Sequence, residues 1–263
     1  MKTHMNFFTL LTTSLGMVAM TLLGCVADEK TSPIEEEGKV YESRGVKVEG
    51  FGDLKLIRSN ELTQAIVLKD LGNEHLYGIG MPEGLNKELL ILDGQAFGAS
   101  FQDLQYTVQP LPEDQRISFF VYAHVAKWDA IPLDKSVRTF SDLEEALPGI
   151  LDQAGIDPSQ TTAFRLDAEV DGLKWFVVNG MGNGLPDHQA SFFRNRFLGG
   201  LDHTSIEGFG IYSPDKQGSW TSPQTKIHLH FRTKDSMSFV GHLDNEVFLK
   251  EGAVLYVPAA VDQ

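Results

Sequence analysis

Cysteine is almost absent from this chain, since the 263 residues contain only Cys25. A single cysteine excludes an intramolecular disulfide and any zinc site built from paired cysteines. Positive charge is also scarce: 22 Lys and Arg residues stand against 36 Asp and Glu residues, for a net charge of −14. An acidic balance of this size repels phosphate backbones, which argues against nucleic-acid binding. With 42% hydrophobic and 22% charged residues, the chain otherwise has the composition of an ordinary globular protein.

The N-terminal segment has the pattern of an export signal. Lys2 precedes an apolar stretch over residues 7–23 that Thr and Ser interrupt. This stretch is too weak for a membrane span and is typical of a removable signal peptide. It ends in Leu22-Leu23-Gly24-Cys25, which resembles the lipobox of bacterial lipoproteins. The resemblance implies that residues 1–24 are a lipoprotein signal peptide and that Cys25 is acylated; the alternative is an ordinary signal peptide followed by a stray cysteine.

The next segment, residues 25–45, is polar and includes Glu35-Glu36-Glu37. Its composition cannot bury enough apolar surface to fold, so we expect a flexible tether between the acylated cysteine and the folded part. The folded part is then expected outside the cytoplasm, in contact with a bacterial membrane only through the lipid anchor on Cys25.

From residue 46 onward, strands outnumber helices, which predicts an α+β fold. We expect two mixed α/β domains, residues 46–160 and 161–263, with predominantly antiparallel or mixed sheets. Residues 117–125 are apolar on both faces, which predicts a central strand. Further strands are predicted over residues 76–80, 88–92, 163–169, 173–178, 208–212, 226–232 and 254–257.

Two helices are predicted from local patterns. Leu62, Ala65 and Ile66 form a helical stripe that favours a helix over residues 61–71. Ser141 and Glu144 have the spacing of a capping box, which predicts that a second helix starts there. Pro148 is expected to kink that helix or to split it.

Three histidines form the most informative constellation. His228 and His230 are two residues apart, so on a strand both imidazoles project from one face. A hairpin return through residues 233–236 would bring His242 beside them. Three neutral imidazoles on one face are the ligand set of a catalytic zinc site with an open position. The sequence therefore predicts a metal site in the C-terminal half; the alternative is two surface imidazoles on an edge strand.

The chain resembles the α-acetolactate decarboxylases from about residue 48 onward. The specific part of the resemblance is a histidine signature, KIHLHFR over residues 226–232 and VGHLD over residues 240–244, together with ELLILDG over residues 88–94. Supporting segments lie at residues 71–81, 164–167 and 209–214. The resemblance implies a fold of two α+β domains with the metal near the cleft between them. It also implies a lyase of acetoin biosynthesis that converts 2-acetolactate (2-hydroxy-2-methyl-3-oxobutanoate) to acetoin and carbon dioxide.

The resemblance also implies roles for individual residues. His228, His230 and His242 would hold Zn²⁺, with another divalent metal as an alternative, and the metal would stabilise the enediolate left by loss of carbon dioxide. Glu88 matches the family's catalytic glutamate and would deliver the proton. Without the resemblance, Glu88 would be interpreted as a solvated carboxylate at a strand end. The expected partner is a small 2-hydroxy-3-oxo acid, and the oligomeric state is left open, with a dimer as one option.

Two departures from the family pattern affect the expected activity. Where the family carries a second arginine, eleven residues beyond the one matched by Arg165, this chain has Phe176. Arg232 lies on the same strand face as His230 and is the predicted catalytic substitute for the family arginine. Lys174 is a second cation in question. The alternative interpretation of Arg232 is an exposed charge at a strand end. The chain also ends with little of the family's longer C-terminal tail. The competing hypotheses are a non-catalytic lipoprotein that retains the fold and metal site, and a metal enzyme with a related small oxo- or hydroxy-acid substrate.

Overall fold

A computed structural model describes residues 46–59, 65–178, 196–234 and 239–260. The predictions for the signal peptide, the tether and the acylation of Cys25 lie outside the described residues. Within the described ranges, no helix has the length and hydropathy needed to traverse a bilayer.

The described chain is mostly antiparallel β-sheet with few helices. Its helices are α1 (Leu54–Ser59) and α2 (Phe140–Gln153), with a short 3-10 helix at Leu68–Leu71. The strands are β1 (Glu49–Phe51), β2 (Ile66–Val67), β3 (Leu76–Pro82), β4 (Glu88–Leu92), β5 (Gln95–Gln102), β6 (Gln105–Pro110), β7 (Arg116–His124), β8 (Trp128–Pro132), β9 (Thr162–Val178), β10 (Arg196–Tyr212), β11 (Ile227–Thr233), β12 (Val240–Leu249) and β13 (Val254–Pro258).

The first sheet has the order β1-β7-β3-β4-β5-β6, with β2 also paired to β7. The predicted central strand is confirmed, since β7 pairs with β1 and β2 on one side and with β3 on the other. Every residue of β4 is buried. Leu89 and Ile91 pack into a small outer cluster, whereas Leu90 and Leu92 join the main core shared with the second sheet. By the alternation of a strand, Glu88 points to that same inner side.

The second sheet has the order β10-β11-β12-β9-β13-β8. Since β10 also pairs with β9, the hydrogen-bonded path β9-β10-β11-β12 returns to its first strand. Strand β8 falls within the predicted N-terminal domain, yet it pairs with β13 of this sheet. The division into domains at residues 160 and 161 stays a prediction.

Several local predictions need correction. The prediction of a helix over residues 61–71 is wrong in the described part of that range, since β2 and the 3-10 helix occupy residues 66–71. The reason is that Ile66, Leu68 and Leu71 pack on the outer cluster of the first sheet. The two strands predicted over residues 163–169 and 173–178 are the single strand β9.

The start of α2 also differs from the prediction. The capping box is formed by Thr139 and Asp142, two residues before the predicted pair of Ser141 and Glu144. The helix is not split at Pro148, which lies inside it. Its apolar face, formed by Phe140, Leu143, Leu147 and Leu151, is buried and holds the helix against the core.

Candidate metal centre

Three histidines from two neighbouring strands converge at the inner side of the second sheet. His228 and His230 share a face of β11, and the antiparallel register of β11 and β12 pairs His230 with His242. One nitrogen of each ring lies within 4.8 Å of those of the other two. His228 and His230 are buried and His242 is partly buried. The pairing of β11 with β12 therefore brings the three rings together, as predicted, and residues 235–238 between the two strands lie outside the described residues.

Hydrogen bonds fix the tautomers of two of these rings. The Nδ1 atom of His228 donates to the carbonyl oxygen of Trp220 at 2.7 Å, and that of His230 donates to the carbonyl oxygen of Leu89 at 2.8 Å. A carbonyl oxygen only accepts, so each Nδ1 carries the hydrogen and each neutral ring presents its lone pair at Nε2. The two Nε2 atoms lie 3.1 Å apart. Two acceptors at this distance repel unless a cation lies between them.

Burial keeps the three imidazoles neutral in the absence of a metal. Desolvation lowers the pKa of His228 to about 4, although its bond to Trp220 acts in the opposite direction. Desolvation, followed by the charge of neighbouring histidines, holds the pKa of His230 and of His242 well below the usual value. Neutral imidazoles are the form that binds a metal.

The donor set fits a zinc ion. With Zn–N bonds of about 2.0–2.1 Å, a tetrahedral ion holds its nitrogen ligands roughly 3.3 Å apart, close to the separation of the two Nε2 atoms. Backbone carbonyls that fix the outer nitrogen of each ligand ring are the usual second layer of such a site. The lone pairs of His228 and His230, with a nitrogen of His242, are the groups that would hold the ion.

The loop before β11 is anchored to α2 by a carboxylate. Glu144 accepts hydrogen bonds from Thr225 Oγ1 at 2.7 Å and from the backbone N–H of Lys226 at 2.8 Å. Thr221 closes the same loop by donating to the carbonyl oxygen of Thr225 at 2.7 Å. The helix thereby holds the segment that leads from Trp220, whose carbonyl orients the first ligand, to His228.

Glu88 reaches the histidines from the opposite sheet. Its side chain is buried, one oxygen accepts the backbone N–H of Val178 at 3.1 Å, and the other lies 3.5 Å from His230 Nε2. Burial raises its pKa to about 8, a rise that the Val178 hydrogen bond and the charge of Arg196 only partly oppose. In the metal-free protein, the carboxyl group is therefore mostly protonated at neutral pH beside a neutral imidazole.

A cavity of about 540 Å³ opens at this point between the two sheets. Its described lining includes the three histidines and Glu88, aromatic side chains and a few further polar groups: Phe119, Phe140, Phe176, Arg196, Asp244 and Asn245. A cavity of this size accommodates a small organic acid beside a metal ion.

The cations predicted to replace the family arginine lie elsewhere. Arg232 binds Glu207, with Nη2 2.6 Å from Oε1, and its guanidinium packs over the ring of Phe97. Lys174 is exposed and pairs with Glu246 at 2.6 Å. Neither belongs to the described lining of the cavity. The catalytic role predicted for Arg232 stays a prediction.

Sequence reasoning missed Arg196, which does line the cavity. It lies opposite Val178 in the register of β9 and β10, and its guanidinium carbon is 4.7 Å from the centroid of the Phe176 ring. That ring stacks on His242, with centroids 4.2 Å apart. No spacing rule indicates this contact, because Arg196 and Phe176 are brought together by strand pairing across a long connection.

The fold and the site together define a class: a protein of two antiparallel sheets with a three-histidine candidate metal centre and a facing carboxyl group between them. Solved structures with this fold include acetolactate decarboxylases and a related protein. Two are from Bacillus subtilis: the enzyme of strain 168 (16% identity, 80% of this chain and 83% of that one, TM-score 0.62) and that of subspecies spizizenii (16%, 80% and 85%, 0.65). The third is a Staphylococcus aureus protein of unknown function similar to alpha-acetolactate decarboxylase (15%, 80% and 84%, 0.65).

A family model for alpha-acetolactate decarboxylase matches residues 53–258. The chain belongs to this family, as the histidine signature predicted. A search of curated proteins finds no match.

Proposed function

We propose that this protein is a zinc-dependent decarboxylase that converts 2-acetolactate to acetoin and carbon dioxide. The observation that carries the proposal is the convergence of three neutral imidazoles, two of them with Nε2 atoms 3.1 Å apart, beside a buried glutamate in one cavity. Membership of the alpha-acetolactate decarboxylase family supports the same activity.

The reaction breaks the bond between the carboxylate carbon and C2 of the substrate. Carbon dioxide leaves, the electron pair remains as an enediolate, and one proton completes acetoin. When bound by His228, His230 and His242, zinc supplies Lewis acidity that stabilises negative charge on the ketone and hydroxyl oxygens. No organic cofactor is required.

Glu88 is the proposed proton donor. It lies on the cavity wall opposite β11, and in the metal-free protein burial raises its pKa to about 8. The Val178 N–H holds one carboxyl oxygen and leaves the other directed toward His230. A protonated carboxyl group in a fixed position is suited to deliver its proton to one face of the enediolate.

A second candidate function is favoured by Phe176. A phenyl ring at the position of the family arginine can neither bind a carboxylate nor move a proton. The alternative is therefore a non-catalytic or altered-substrate lipoprotein that retains the fold and the metal site. In both cases the proposal includes export and a lipid anchor on Cys25, which the segment Leu22-Leu23-Gly24-Cys25 supports.

Acetoin formation from racemic 2-acetolactate tests the proposed activity. The full chain, purified in detergent and loaded with zinc, should form acetoin faster than the enzyme-free solution. Glu88→Gln keeps an oxygen for the Val178 N–H, so it should retain zinc while kcat falls by roughly 10²–10⁴. His230→Ala should lose both zinc and activity. Stoichiometric zinc without acetoin above the enzyme-free rate would reject the decarboxylase and leave the second candidate.

A further inference from the structure

Arg196 brings a permanent positive charge to the wall of the cavity. Its guanidinium lies over Phe176, and the same phenyl ring stacks on the candidate ligand His242. The charge of Arg196 also reaches Glu88 and His242, where it favours the ionised carboxylate and the neutral imidazole. Arg196 is thus part of the electrostatic environment of the metal centre, although it belongs to a different strand from each of the residues it influences.

Among the described residues that line the cavity, Arg196 is the sole Lys or Arg. The same lining contains the carboxyl groups of Glu88 and Asp244, which repel an anion when they are ionised. An anionic substrate that enters the cavity therefore meets the guanidinium of Arg196, and the ion that the three histidines would hold would attract it as well. A guanidinium is suited to a carboxylate because its paired N–H groups match the two oxygens.

The position of Arg196 also explains how the chain accommodates Phe176. The family's arginine at that position is absent, but the ring that replaces it supports a guanidinium from the neighbouring strand β10. Packing of the planar cation against the aromatic face of Phe176 orients the guanidinium. The alternatives Arg232 and Lys174 do not belong to the described lining of the cavity.

We propose that Arg196 binds the carboxylate of the 2-hydroxy acid substrate and so replaces the arginine that the family carries at the position of Phe176. This inference rests on the proposed function for the identity of the substrate. It restricts that substrate to acids in which a carboxylate adjoins the metal-chelating oxygens, and it disfavours neutral hydroxyketones.

The expected kinetic signature follows from the chemistry of the leaving group. The carboxylate is charged in the bound substrate and becomes neutral carbon dioxide, so a contact to it is stronger before the reaction than in the transition state. Such a contact lowers KM and does not accelerate the bond-breaking step. Arg196→Gln should therefore raise KM for 2-acetolactate by roughly 10- to 100-fold while kcat changes much less.

Calorimetry with two unreactive probes measures the same contact without turnover. The probes are 2,3-dihydroxy-2-methylbutanoate and 2-methylbutane-2,3-diol, which differ only in that a methyl group replaces the carboxylate. On the zinc-loaded full chain, Arg196→Gln should weaken binding of the acid by roughly 10- to 100-fold and leave that of the diol unchanged. Arg196→Lys keeps the charge but loses the paired donors, so it should retain part of the affinity. Arg116→Gln, at an exposed pair with Glu83, is the matched control.

The inference is overturned if Arg196→Gln binds the acid as tightly as the unaltered protein does, or if Arg232→Gln produces the loss instead. It is also overturned if Arg196→Gln weakens the binding of the acid and of the diol equally, because the substitution then acts through the fold. Acetoin formation with an unchanged KM in Arg196→Gln would reject this inference and keep the decarboxylase. Arg196-dependent binding of the acid without acetoin formation would reject the decarboxylase and keep the carboxylate site.

Discussion

The Nε2 atoms of His228 and His230 lie 3.1 Å apart while the Nδ1 atom of each ring donates to a backbone carbonyl. Two lone pairs are thereby brought close together on buried side chains. Such an arrangement is unfavourable in the metal-free protein and becomes favourable when a cation is bound. The two Nε2 lone pairs therefore repel each other in the metal-free protein, and a bound metal ion would remove this repulsion.

Metal removal should therefore lower stability measurably. We expect one zinc ion per chain, and at a free zinc concentration of a hundred times Kd the ion should add about 2.7 kcal/mol to the free energy of unfolding. Denaturation with and without a chelator measures this difference. His242→Ala should abolish it, whereas His75→Ala, at an exposed histidine paired with Asp93, should not. Equal stability with and without the chelator would count against the metal centre.

The contact between α2 and the loop before β11 should affect both stability and metal binding. Glu144→Gln replaces a charged acceptor of two hydrogen bonds and should lower the free energy of unfolding by about 1–3 kcal/mol. Zinc affinity should fall as well, because the loop orients His228 through Trp220. Glu145→Gln, on the exposed side of the same helix turn, is the control and should change neither quantity. An unaltered zinc affinity in Glu144→Gln would show that the loop is held by other contacts.

The stability of the metal-free protein should depend on pH in two directions. The pKa of Glu88 is raised to about 8 in the folded protein. Its contribution to the free energy of unfolding is therefore complete below the pKa that Glu88 has in the unfolded chain, and it is lost as pH rises toward 8. The histidine pKa values are lowered, so their contribution is lost as pH falls below about 6.5.

Above pH 7, where the unfolded histidines are mostly neutral, Glu88 should dominate this dependence. Between pH 7 and 8 the free energy of unfolding should fall by at most about 1.4 kcal/mol per pH unit. Denaturant titrations in chelator at several pH values measure the slope. Glu88→Gln should be flat over this interval, and an identical slope in both proteins would assign it to another group.

The start of α2 offers a test of the capping residues. Thr139→Ala removes the side chain that accepts the Asp142 N–H and should cost about 1 kcal/mol of stability. Ser141→Ala, at the position that the sequence favoured, lies on an exposed residue inside the helix and should have little effect. Thermal unfolding of the two variants compares them directly, and a larger loss in Ser141→Ala would contradict the observed cap.

Local sequence patterns predicted β4 and the convergence of the histidines because strand alternation is a property of consecutive residues. The same reasoning failed for residues 66–71, where the apolar spacing suits a helix but the side chains cover the outer face of the first sheet. It also placed the cap of α2 two residues late, because Thr139 and Ser141 both precede an acidic residue by three positions.

The sequence by itself determined the acidic character of the protein, its family, and the face of β11 that carries His228 and His230, since each of these depends on composition or on neighbouring residues. Only the tertiary structure decided that Glu88 of the first sheet faces His230 of the second, and that Arg196 lies over Phe176. The physical reason is that both relationships are set by sheet packing and by the register of distant strands, which no spacing within a single segment encodes.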